Sequence, residues 1–213
     1  MQINFDKKTI SLLAIIIVLL ATIFGILLKR DGHDGSHGIH QNGSMGKQGK
    51  QGKQDKQEKS AATAFSGADI MFLQMMIPHH QQAIDISNIA LKSSKDVELL
   101  ALADTIIEAQ TAEIVQMNSW LKEAGASMDM GHSMSGMGGM LNEAELSALA
   151  MATGKEFDAL WLKGMIEHHD GAIDMSSMIA DASNPEIKAF GENVIKDQSV
   201  QIDQMNAILK RIS

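Results

Sequence analysis

One sixteen-residue stretch of this chain occurs twice. Phe72-Leu73-Gln74-Met75-Met76-Ile77-Pro78-His79-His80-Gln81-Gln82-Ala83-Ile84-Asp85-Ile86-Ser87 returns 89 positions later as Trp161-Leu162-Lys163-Gly164-Met165-Ile166-Glu167-His168-His169-Asp170-Gly171-Ala172-Ile173-Asp174-Met175-Ser176. A second element follows each copy at an offset of 88: Ile106-Ile107-Glu108-Ala109-Gln110 with Ile114 and Met117, then Val194-Ile195-Lys196-Asp197-Gln198 with Ile202 and Met205. The one-residue difference falls in the connection, where chains tolerate insertions. Whatever fold the chain adopts must therefore house the same two-part unit twice. Phe72, Met76, His79, Ala83, Ile86 and Ala90 step 4-3-4-3-4, as do Trp161, Met165, His168, Ala172, Met175 and Ile179, which is the period of a helix with one buried face. The expectation is all-α: helices over 66–91, 96–123, 155–180 and 185–212, paired as two αα-hairpins in a four-helix bundle. Ser66 and Asp69 at one start, Gly125 after one end and Asn184-Pro185 before the last helix punctuate that pattern. Asn142-Glu143-Ala144-Glu145 opens a short additional capped helix.

The repeat fills 65–213, read as repeat one (65–124), a Met-rich loop (125–141) and repeat two (142–213). Ahead of it, Ile10 to Leu28 is nineteen residues without a charge, and as a helix it would run about 28 Å, one bilayer core. It runs directly into Lys29-Arg30 rather than a small-residue cleavage site, which favours an uncleaved N-terminal transmembrane anchor (1–30) over a signal peptide. Lys7 and Lys8 balance Lys29 and Arg30, so charge counting leaves the orientation open, while the short tail favours a core facing the periplasm or another extracytoplasmic space. Residues 31–64, rich in Gly, His, Lys and Gln, have nothing to bury and read as a disordered linker. Cysteine is absent, which excludes disulfide frameworks, thiolate metal sites and cysteine nucleophiles. Residues 65–213 hold nine Lys/Arg against twenty-one Asp/Glu, a balance of -12 that repels nucleic acid and attracts cations.

The chemistry-bearing residues gather on the repeat. His79 lies on the inward stripe and His80 on a second one with Leu73, Ile77 and Ile84; His168 and His169 repeat the arrangement. One buried histidine is ordinarily a satisfied core residue, but four at one repeated position need partners that packing alone does not supply. Met75 and Met76 precede the first pair by one helical turn and Met165 precedes the second, so thioether and imidazole converge. That donor set suits Cu(I) or Ag(I), with Cu(II) open to the imidazoles, although methionine also serves simply to fill cores. On the second helix of each hairpin, Gln110, Glu113, Gln198 and Gln201 are polar where apolar residues are expected, beside Met117 and Met205. These four polar residues are candidates for holding imidazole tautomers or for binding metal themselves, Glu113 as a metal ligand, and Asp85 and Asp174 could serve likewise or merely solvate a face. If the histidines are ligands, affinity should fall as pH drops through about 6.5, the ordinary imidazole value. Between the hairpins, Met128, Met130, His132, Met134, Met137 and Met140 stand on a glycine-rich stretch able to wrap a soft monovalent ion. His33, His37 and His40 in the linker are weaker candidates for Cu(II), Ni(II) or Zn(II).

Met75 to Asp85, followed by Gln110-Thr111-Ala112-Glu113-Ile114-Val115-Gln116-Met117, resembles the family catalogued as domain of unknown function 305, in two tandem copies across 65–213. The resemblance implies a ferritin-like helical bundle, an extracytoplasmic location and copper or silver binding. Its matching positions are Met76, His79, His80, Asp85, Gln110, Glu113 and Met117, then Met165, His168, His169, Asp174, Gln198 and Met205, with Gln201 in place of the second Glu.

The expected function is a membrane-anchored, extracytoplasmic protein that sequesters copper or hands it on, to a copper-handling protein partner among others, with silver as a second guest. Catalysis is not expected. A ferritin-like metallo-oxidase is the rival from another class, but its di-iron site needs Glu-x-x-His spacing, which occurs nowhere in this sequence. A helical module that docks a partner through the Met-rich loop is the third reading. Oligomeric state is not encoded in any of these features.

Overall fold

The structure is a computed structural model that describes residues 64–128 and 138–213. The expected transmembrane anchor, the linker with His33, His37 and His40, and Met130, His132, Met134 and Met137 of the loop lie outside the described residues. Among the described residues no helix is long and apolar enough to cross a membrane.

Over the described residues five helices follow in order: α1 (Gly67–Ser93), α2 (Val97–Glu123), α3 (Glu143–Met151), α4 (Gly154–Ser177) and α5 (Pro185–Ile212). Local chemistry accounts for where they start. Ser66 caps α1 through a reciprocal box, its hydroxyl accepting from Asp69 N–H while the Asp69 carboxylate accepts from Ser66 N–H at 2.7 Å. The Asp96 side chain accepts from Glu98 and Leu99 N–H to start α2, and Asn184 does the same for α5 with Pro185 at the first helical position. Asn142 and Glu145 form the box expected for α3. Gly125, at φ 66°, supplies the left-handed turn after α2. α1 runs unbroken through Pro78. α4 stops three residues before the expected 180, because its last turn tightens into i→i−3 bonds at Met178, Ile179 and Ala180.

α1 packs along α2 and α4 along α5, which are the two hairpins; α1 against α4 is the main joint between them, and α3 leans on α4. Trp161, fully buried on α4, donates its indole N–H to the Ile86 carbonyl of α1 at 3.1 Å and pins that joint. The interior falls into two apolar clusters. One holds Ile86, Leu99, Ile106, Phe157, Met165 and Met205 among others, the other Phe72, Met76, Met117, Trp120, Met175 and Val194. Each draws side chains from all four long helices, and burying each large side chain contributes roughly 1.5 to 3 kcal/mol. Along every long helix the two clusters are separated by a polar position: His79 and His80 on α1, Gln110 on α2, His168 and His169 on α4, Gln198 on α5.

Candidate metal centre

Those six residues form a belt across the middle of the bundle. All four histidines are 0% exposed, while Gln110 and Gln198 are nearly so. His79 and His168, equivalent by the repeat, meet across the α1–α4 joint with ring centroids 3.8 Å apart and planes tilted by 37°. The ring nitrogens are then distributed unequally. His168 Nε2–H donates to the His79 backbone carbonyl at 3.0 Å. His80 Nε2–H donates across its hairpin to the Glu113 carboxylate at 2.8 Å, and His169 Nε2–H to the Gln201 side-chain carbonyl at 2.6 Å. Carbonyl and carboxylate oxygens only accept, so the three bonds place a proton on Nε2 in each ring and leave its Nδ1 as a lone pair wherever the ring is neutral. Those three Nδ1 atoms, and both nitrogens of His79, have no hydrogen-bond partner. The backbone of Gly138 faces the His79 ring, and that of Met165 the His169 ring, without closing a bond to either.

Burial decides the charge state. Desolvation first, then the neighbouring His80, push His79 down from 6.5 to about 3. Desolvation likewise lowers His169 to about 4 against the opposing Gln201 bond, and holds His168, which also faces His79, well below its ordinary value. These imidazoles are neutral across the physiological range and well into acid. For His79, His168 and His169 the figure of about 6.5, which belongs to a solvated ring, thus moves down, and proton competition for a metal at these three would set in at lower pH.

The flanking sulfurs divide between the clusters. Met76 and Met117 are fully buried in one, Met165 and Met205 in the other, and Met75 is half-buried beside the first. Met76 and Met165 stand one turn before the histidines on their own helices. Asp85 and Asp174 are not brought to the belt. They are exposed, and Asp85 instead accepts from Gln81 at 2.9 Å, since five or six residues beyond the histidines the helix has turned them away. Met128, 53% exposed, and half-buried Met140 line a groove of about 900 Å³ on the outer side of α1, with Pro78, Gln81 and Leu146. Among the described residues no three His, Asp or Glu side chains converge as a ready cation site. Gln201 plays in the second hairpin the part Glu113 plays in the first, so the loss of a carboxylate keeps the acceptor. Sequence reasoning missed Gln82, Gly138, Gly139 and Gly171 around the belt; the visible signal was that Gln82 and Gly171 occupy equivalent repeat positions yet differ.

The family model for the domain of unknown function DUF305 matches residues 69–209, a single span across both hairpins. The chain belongs to the DUF305 family. A DUF305 fragment from Deinococcus radiodurans superposes with a TM-score of 0.66 at 29% identity, over 70% of this chain and 99% of that one. CopM in its Cu(II)-bound form gives 0.57 at 33% identity, over 68% of this chain and 97% of that one, and CopM in an Ag-bound form gives 0.54 at 32%, over 67% and 96%. The uncharacterized protein L153 of Acanthamoeba polyphaga mimivirus is 44% identical over 55 residues, 26% of this chain, and the match spans only 36% of that protein. This DUF305 chain is thus all-helical over its described residues, like its neighbours, of which CopM is described in Cu(II)-bound, Cu(I)-bound, Ag-bound and apo forms.

Proposed function

We propose that this chain binds copper, as Cu(I) or Cu(II), with silver taken in its place, and that it sequesters the metal or hands it on rather than turning over a substrate. The observation that carries the reading is the belt: buried imidazoles with unpartnered ring nitrogens, one turn from buried thioethers. Unpaired buried polar atoms are costly, and a soft cation that takes imidazole and thioether donors relieves that cost. The CopM structures with Cu(II), Cu(I) and Ag support it. His79, His168, Met76 and Met165 are the central ligands in this reading, with His80, His169, Met75, Met117 and Met205 around them. Glu113 and Gln201 hold the His80 and His169 rings, Glu113 being also a candidate ligand, while the buried amides of Gln110 and Gln198 have no partner and stand ready beside them. Met128, Met130, His132, Met134, Met137 and Met140 form an outer capture site. The halves are tandem copies in a ferritin-like bundle, and residues 10–28 anchor the core outside a membrane, where copper arrives and a copper-handling partner can receive it.

The test is Cu(I) and Ag(I) titration of a chain whose five loop methionines are replaced by Leu, with and without His79→Gln plus His168→Gln. Affinity that falls by tenfold or more with the histidine changes, about 1.4 kcal/mol, is the expected result. Equal affinity in both removes the belt as a site.

A further inference from the structure

Each histidine of the stacked pair is followed three residues later by a residue that grips one short segment of chain. Three after His79, Gln82 takes both backbone groups of Leu141: its side-chain NH₂ donates to the Leu141 carbonyl at 2.9 Å and its carbonyl accepts from Leu141 N–H at 2.8 Å. Three after His168, Gly171 lies so close under the Gly138 carbonyl that a Cβ there would overlap it, and would sit 2.9 Å from Gly139 Cα. Gly139 needs its own lack of a side chain twice over, for its φ of 82° and for its approach to the Glu167 carbonyl. Leu141 is 8% exposed, and a Cβ on Gly164 would meet its side chain at 3.1 Å. The segment 138–141 is thus strapped from α4 to α1, across the joint where His79 and His168 meet, with the Gly138 backbone against the His79 ring.

We propose that this strap is the cover of the stacked histidine pair, and that Gln82 and Gly171 are the positioning residues that hold it shut and so set the rate at which solutes reach the rings. The two residues sit at equivalent positions of the repeat, differ in identity, and grip opposite ends of one strap. For a soft cation as the solute the inference rests on the metal reading above; for the cover itself it does not.

The test compares the apo full chain with Gln82→Leu, which removes both bonds without adding a clash, with Gly171→Ala, which forces the strap off its cradle, and with Gly67→Ala, where an added Cβ meets nothing within 4 Å. The probe is diethylpyrocarbonate, which acylates neutral accessible imidazole, read at each histidine by peptide mass spectrometry, with circular dichroism to confirm the helices. Both strap variants should raise modification of His79 and His168 about tenfold over the unaltered chain, the scale expected for losing two hydrogen bonds that oppose local opening. His80 and His169, tied to Glu113 and Gln201, should change far less, and Gly67→Ala should match the unaltered chain. Unchanged reactivity of the pair in a folded Gln82→Leu chain overturns the cover, as does an equal rise at all four histidines. Ag(I) release into thiosulfate should quicken by the same factor with unchanged stoichiometry. If the rings open and silver release does not change, the cover stands and the metal reading of the pair fails.

Discussion

At the scale of single residues, the belt makes acid a specific threat to this protein. His79 and His169 take up protons at about 3 and about 4 in the folded chain and near 6.5 in the unfolded one. Between those values the unfolded state holds more protons, so stability falls as pH falls, beginning below 6.5 and continuing toward the folded values. Each ring contributes about 1.4 kcal/mol of lost stability per pH unit in that window. Urea unfolding of the 65–213 core at pH 7, 6 and 5 should show the decline, and His79→Gln with His169→Gln should make it shallower, His168 carrying what remains. A profile with the same slope after both substitutions would place the acid sensitivity elsewhere. The histidines themselves were legible from the repeat, because four inward imidazoles at one spacing are conspicuous. Their unequal bonding was not, since which ring nitrogen finds Glu113, Gln201 or the His79 carbonyl depends on neighbours thirty or more residues away.

At the scale of elements, the helices were legible nearly to the residue wherever a side chain caps them: Ser66, Asp96, Asn142 and Asn184 each stand one position before the helix they start. Where no side chain marks the boundary, at the end of α4, the expected helix overran. The partner of each face was not legible either, because a 4-3 stripe states that a face is buried without stating against which helix. The strap was invisible for the same reason: glycine-on-glycine contact leaves no pattern along the sequence. The methionine-rich connection makes its own prediction. Met128 is more than half exposed and buries little, so replacing Met128, Met130, Met134, Met137 and Met140 by Ser should lower the number of Cu(I) or Ag(I) ions bound while moving the melting temperature by a few degrees at most. Unaltered stoichiometry in a titration would take the connection out of the metal chemistry.

At the scale of the whole molecule, the proposal joins an acidic core to an apolar head. If the nineteen uncharged residues 10–28 form the proposed anchor, their insertion in a bilayer is essentially irreversible, so carbonate extraction of membranes should leave the full chain in the pellet. Recovery of a soluble form beginning near Asp31 would show that the head is removed. The paired clusters carry a further consequence. Neither hairpin owns a core: each cluster takes side chains from all four long helices, and exchanging the hairpins exchanges the clusters while bringing His79 onto His168. That is the geometry of a two-fold arrangement within one chain, with the tilted ring pair near the dyad, where a residue meets its repeat counterpart. Residues 65–124 and 142–213 made as separate polypeptides should each be poorly folded alone and should regain helix on mixing, in equal amounts, as a heterodimer. That arrangement gives a direct meaning to the differences between the halves, for a dyad between identical subunits forces every grip to occur in duplicate, whereas within a single chain one side can keep Gln82 where the other keeps Gly171.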